Sequence, residues 1–84
     1  MPRMPRDVSY KDLYTVLRKY GYTISRQTRS HIRLKSNFMG HEHLITIPAH
    51  SPIKVGTLNN ISKDIAAYLK MTKENLIENL FYVK

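Results

Sequence analysis

His31–Lys35, HIRLK, alternates: Ile32 and Leu34 are apolar, and His31, Arg33 and Lys35 are not. Successive side chains leave a strand on opposite faces, so a period of two marks a strand buried on one side and wet on the other. His43–Ile47 repeats the pattern, with Ile45 and Ile47 in phase. Tyr22–Gln27 supplies a first strand, and the short polar turn Thr28–Ser30 joins it to HIRLK as a hairpin. Three short antiparallel strands can bury one face under helices and leave the other wet. The fold class is therefore α+β. With 84 residues the chain, 1–84, reads as a single small domain with one modest core. A shallow surface site is expected rather than a deep pocket.

The helices lie outside the strands. Ser9-x-x-Asp12 has the form of a capping box. Tyr10, Leu13, Tyr14 and Leu17 then fall at helical spacing, Tyr20 continues the stripe, and Gly21 is placed to end the helix. On this stripe the tyrosines read as core packing rather than as base-stacking platforms. Ser36-Asn37 and Gly40 turn the chain between the second and third strands, and Pro48 ends the third. After the loop Ala49–Gly56, Thr57 is the expected cap of a second helix carrying Leu58, Ile61, Ile65, Tyr68 and Leu69. Thr72 caps a short last helix with Leu76, Ile77, Leu80 and Phe81 on its apolar face. The expected order is α-β-β-β-α-α, preceded by a flexible basic arm at residues 1–6, MPRMPR.

Charge gives the partner class. The net charge is +8, and residues 1–35, with nine Lys/Arg against two Asp/Glu, hold +7 of it. A basic half is the electrostatic footprint of a nucleic-acid binder. Its centre is Arg26–Lys35, where His31 sits among Arg26, Arg29, Arg33 and Lys35. Imidazole takes and gives protons near neutral pH, and a row of cations suits a phosphate. The plainer alternative is a solvated strand face bearing one histidine. The absence of cysteine removes disulfides, thiolate zinc sites and cysteine nucleophiles. No apolar run approaches a membrane span, and the N-terminus lacks a signal-peptide core, so a cytoplasmic protein is expected.

Other chemistries find little support. His41-x-His43 with His50 contains three imidazoles, but only Glu42 stands nearby as a second-layer carboxylate, and a polar hairpin end is the better reading; no metal is expected. The six carboxylates are scattered, which disfavours paired-acid and two-metal hydrolysis. There is no glycine-rich phosphate loop. Ser30 beside His31 does not read as a triad, because neighbours in a strand point apart. Acid–base cleavage of RNA remains. The 2′-hydroxyl is the nucleophile, one histidine removes its proton, cations stabilise the transition state, and no cofactor is needed.

The order of PRDVSYKDL, KYGY, RQTRSH, ITIPAH and VGTLNNI resembles the HicA (YcfA-like) toxins of prokaryotic type II toxin–antitoxin systems, from Pro5 to about Leu80. The resemblance implies a double-stranded-RNA-binding-domain-like fold, mRNA interferase activity and a HicB-type antitoxin that masks the active site. The catalytic histidine of the family's Gly-Ser-His motif falls on His31. Arg29 stands in place of the motif glycine. By this reading His31 is the catalytic base, and Arg26, Arg29, Ser30, Arg33 and Lys35 bind RNA. His50 is either a second acid or a residue that fixes its loop. The alternatives are a non-catalytic RNA-binding module of the same fold and an inactive homologue that only binds its antitoxin. Against simple duplex binding, Thr57–Ser62 at the start of the second helix carries no Lys or Arg.

Overall fold

The computed structural model describes residues 4–49 and 51–82. Helix α1 (Tyr10–Leu17) continues as a 3-10 turn, Arg18–Tyr20. Strands β1 (Thr23–Gln27), β2 (His31–Ser36) and β3 (His43–Pro48) follow, then α2 (Val55–Leu69) and α3 (Lys73–Ile77), which runs on as a π-helical segment, Glu78–Tyr82. The strands form one antiparallel sheet in the order β1-β2-β3. This α-β-β-β-α-α arrangement is that of a double-stranded-RNA-binding-domain-like fold.

Parity decides the two faces of the sheet. Along β2, Ile32, Leu34 and Ser36 are buried while His31, Arg33 and Lys35 are exposed. Ile32 pairs with Ile47 and Leu34 with Ile45, so both strands turn their branched side chains to the same side. Leu13 and Leu17 of α1 and Leu58, Ile61, Ile65 and Leu69 of α2 join these four in one core, with Tyr22, Leu76 and Leu80. Tyr10, Tyr14 and Tyr20 pack against that core, as their spacing predicts. Met4, in the basic arm, also packs against it.

The caps show what starts and stops each helix. Ser9 Oγ accepts a hydrogen bond from the Asp12 N–H at 3.0 Å, and the Asp12 carboxylate accepts the Ser9 N–H at 3.4 Å, closing the capping box. Gly21 takes φ +77° after Tyr20, a conformation that costs a side-chain-bearing residue; an added Cβ would also press Ser36 Oγ at 3.3 Å. Thr72 Oγ1 accepts from the Asn75 N–H at 3.0 Å and starts α3. The start of α2 differs from expectation. The helix begins at Val55, two residues before Thr57, with Lys54 in the capping position and no side-chain cap. Ile53 explains this: it is buried and its N–H bonds the Val8 carbonyl at 2.8 Å, so packing fixes where the chain enters the helix.

Candidate active site

The wet face of the sheet is built by register. On β2 it carries His31, Arg33 and Lys35, and opposite them on β3 stand Pro48, Thr46 and Leu44. On β1 the pairing is irregular. Ile24 faces Leu34, but Arg26, not Ser25, faces Arg33. Strict alternation from Ile24 would turn Arg26 to the helix side. The extra residue in the bulge returns it to the wet face, which is what bulges do near functional sites. Arg26, Thr28, His31, Arg33 and Thr46 line a shallow groove of about 260 Å³. Sequence reasoning misses Thr28 and Thr46. Thr46 is legible in principle, as the residue of β3 out of phase with Ile45 and Ile47.

The turn before β2 holds His31. The Thr28 N–H bonds the His31 carbonyl at 2.8 Å, and Thr28 Oγ1 accepts the His31 N–H at 3.1 Å. The Ala49 N–H bonds the Ser30 carbonyl at 2.9 Å and ties the turn to the end of β3. Asp7 and Lys70 are the non-glycine residues with positive φ among those described, so Arg29 sits in ordinary backbone where the motif has glycine. Ser30 lies in the turn, as expected, so strand alternation does not govern it; its side chain does not point away from His31, and its Oγ is 2.9 Å from His31 Nδ1. His31 is exposed, and its Nε2 has no protein hydrogen-bond partner among the described residues.

The electrostatics are one-sided. Arg26, Arg29, Arg33 and Lys35 are all exposed, and Arg26 and Arg33 are cross-strand partners. Like charges placed opposite each other repel. Among the described residues the one ion pair is His43 with Asp64, so no carboxylate pairs with any of these four cations. A face of unneutralised, adjacent cations attracts an anion.

His43 belongs elsewhere. Its parity puts it on the helix side, stacked on Tyr68 with ring centroids 4.5 Å apart. Its Nδ1 is 2.7 Å from Tyr22 Oη and its Nε2 3.3 Å from Asp64 Oδ1. The hairpin end is thus packed rather than loose, and the carboxylate partner is Asp64, from α2, rather than Glu42. His41 packs edge-on against Tyr68 at 4.9 Å, and its carbonyl accepts the Tyr68 hydroxyl at 2.6 Å. The described residues hold no group of three His, Cys, Asp or Glu side chains that would bind a metal. His50, the possible second acid, lies outside the described residues. No helix among the described residues is long and apolar enough to cross a membrane.

A family model described as the HicA toxin of bacterial toxin–antitoxin systems matches residues 10–66, from the start of α1 into α2. The match spans all three strands, the turn that holds His31 and the groove. The chain belongs to this family. No curated protein and no solved structure matches it.

Proposed function

We propose that this member of the HicA toxin family is a metal-independent endoribonuclease that cleaves mRNA, with His31 as general base. The observation that carries this reading is an imidazole that lines a groove with Arg26 and Arg33, its Nε2 without a protein partner and the two cations without a carboxylate among the described residues. RNA supplies the rest. A phosphodiester binds across Arg26, Arg33 and Lys35, with Arg29 and Ser30 beside the turn. His31 Nε2 takes the proton of the 2′-hydroxyl, and the 2′-oxygen forms a bond to its own phosphorus. The bond from phosphorus to the 5′-oxygen breaks, and that oxygen takes up a proton from solvent. The products are a 2′,3′-cyclic phosphate and a 5′-hydroxyl end. The cations stabilise the extra negative charge of the transition state, where water-poor contacts count most.

A HicB-type antitoxin neutralises the enzyme by covering the same face. An acidic partner surface is steered quickly to the basic side and excludes RNA while it buries His31.

The test is cleavage of a single-stranded RNA by the wild type and by His31→Ala, with the ends of the products identified. The expected loss is ~10²–10⁴-fold in kcat, the usual contribution of a general base. His31 is exposed, so the variant keeps the fold. Undiminished cleavage by His31→Ala, or products ending in a 3′-hydroxyl, overturns the reading.

A further inference from the structure

A base needs a lone pair where the proton arrives. Neutral imidazole has one, on the nitrogen that carries no hydrogen, and the partner of the other nitrogen decides which that is. In this chain the partner is Ser30, whose Oγ lies 2.9 Å from His31 Nδ1. A hydroxyl both donates and accepts, so two arrangements fit that distance. If Ser30 donates to Nδ1, then Nε2 carries the hydrogen and cannot receive another while the ring is neutral. If Nδ1–H donates to Ser30, then Nε2 presents its lone pair to the groove.

The surroundings choose between them once an anion is bound. Ser30 is exposed in the turn beside the groove, and its Oγ has no other protein partner among the described residues. Arg26 and Arg33 line that groove, and their charge would draw a phosphate into it. A non-bridging phosphodiester oxygen accepts hydrogen bonds only, and a hydroxyl turns its hydrogen towards it. Ser30 Oγ is then left as an acceptor for Nδ1–H.

We infer that Ser30 is a positioning residue that sets the tautomer of His31, and that substrate phosphate drives it into the arrangement in which Nε2 is a competent base. The inference rests on the proposed role of His31 as base. Its consequence is that binding arms the catalyst: Ser30 donates to a phosphate oxygen and accepts from Nδ1–H. As Nε2 takes the 2′-hydroxyl proton, the ring becomes an imidazolium, and the Nδ1–H···Oγ bond strengthens because its donor is now charged. The bond is stronger in the transition state than in the ground state, so it acts on kcat rather than on KM.

The experiment has two arms on the full chain. The first compares RNA cleavage by the wild type, Ser30→Ala, Ser30→Thr and His31→Ala. Ser30→Ala is expected to lower kcat roughly 10- to 100-fold, the worth of a hydrogen bond to a charged group, with KM changed far less. Ser30→Thr, which keeps the hydroxyl, restores most of kcat. Unchanged kcat in Ser30→Ala, beside a large loss in His31→Ala, overturns this inference and leaves the base standing. Undiminished cleavage by His31→Ala overturns both. The second arm needs no cleavage. Nitrogen-15 shifts of the His31 ring, assigned by their absence in His31→Ala, are followed as dimethyl phosphate, an acceptor-only phosphodiester, is added at a pH where the ring is neutral. The expected result is a shift of the hydrogen to Nδ1 in the wild type and no such shift in Ser30→Ala. A ring that keeps its hydrogen on Nε2 in saturating dimethyl phosphate, or the same response in both proteins, overturns the inference.

Discussion

Replacing Arg33 and Lys35 together with alanine halves the set of four cations on the wet face and its turn, and the consequence is calculable. Arg26, Arg33 and Lys35 share the wet face by register, and Arg29 stands exposed in the turn before His31. None is neutralised by a carboxylate among the described residues. If each engages one phosphate, binding releases about 0.7 counterion for each of ~4 contacts on a single strand, and the logarithm of affinity falls with that of salt at a slope of about −2.8. Raising salt from about 50 to about 200 mM then weakens binding roughly 50-fold. The double variant keeps ~2 contacts, so its slope falls to about −1.4 and the same change of salt costs about 7-fold. The assay is fluorescence anisotropy with a 2′-O-methylated single strand, which lacks the nucleophile and stays whole. Lys11→Ala plus Lys63→Ala, one exposed lysine on each of α1 and α2, is the control and leaves the slope unchanged. A wild-type slope shallower than about −1, or a control that flattens it as much as the sheet variant does, refutes the placement of RNA on this face.

Two predictions concern the fold. Ser36 is buried at the end of β2; its Oγ donates to the Tyr20 carbonyl at 2.7 Å and accepts the Phe38 N–H at 3.1 Å. Ser36→Ala leaves both backbone groups unpaired, at a cost of about 2 kcal/mol. In a domain of this size that lowers Tm by roughly 10 °C; a shift of less than ~2 °C in thermal unfolding refutes the role given to this hydroxyl. The second is a pH dependence. Burial first, then the nearby Tyr68 and Asp64, push the Tyr22 hydroxyl well above its ordinary 10.0. The unfolded chain gives up that proton as pH passes about 10 while the folded chain holds it, so the stability this group contributes is intact below that value and is lost as pH climbs towards the folded one. Urea unfolding at about pH 9 and about pH 11 should therefore show a smaller loss for Tyr22→Phe than for the wild type, and equal losses refute the assignment.

Local chemistry is legible in the sequence alone. The alternation of HIRLK and the capping box at Ser9 each depend on residues within a few positions of one another, and both are present in the fold. Thr72 as the cap of α3 belongs with them. What escapes the sequence depends on distance or on a break in rhythm. His43 gains Asp64 from a helix 21 residues away, so no count of neighbouring carboxylates reveals the pair. The bulge at Ser25 is a fault in the alternation that places Arg26, and strand periodicity by itself predicts the opposite face. A capping threonine at 57 suggests where α2 starts, while packing at Ile53 sets the cap and the start three residues earlier. Strand alternation, applied to a residue that the sequence itself puts in the turn, hides the contact of Ser30 with His31.

The sheet also explains how one small chain uses histidine in two ways. His31 and His43 stand near opposite ends of the β2–β3 ladder, His31 facing Pro48 and His43 facing Ser36. His31 is out of phase with Ile32 and Leu34, whereas His43 is in phase with Ile45 and Ile47. Parity therefore sends one ring to water and the other to the helices. The inner face meets the demands of its ring: Tyr22, just before β1, and Tyr68 and Asp64 of α2 engage both of its nitrogens and one face, so its hydrogen-bonding capacity is spent within the fold. The outer ring spends only Nδ1, on Ser30, and keeps Nε2. A nitrogen left open on an exposed face costs little, because water satisfies it until a substrate arrives. Beside it the groove holds Arg26 and Arg33 with no carboxylate paired to them among the described residues, a repulsion that a bound phosphate would relieve. An unspent nitrogen and an unneutralised pair of cations meet in the groove because a register and a bulge put them there. The proposed role of His31 rests on that coincidence more than on the presence of histidine in a basic sequence.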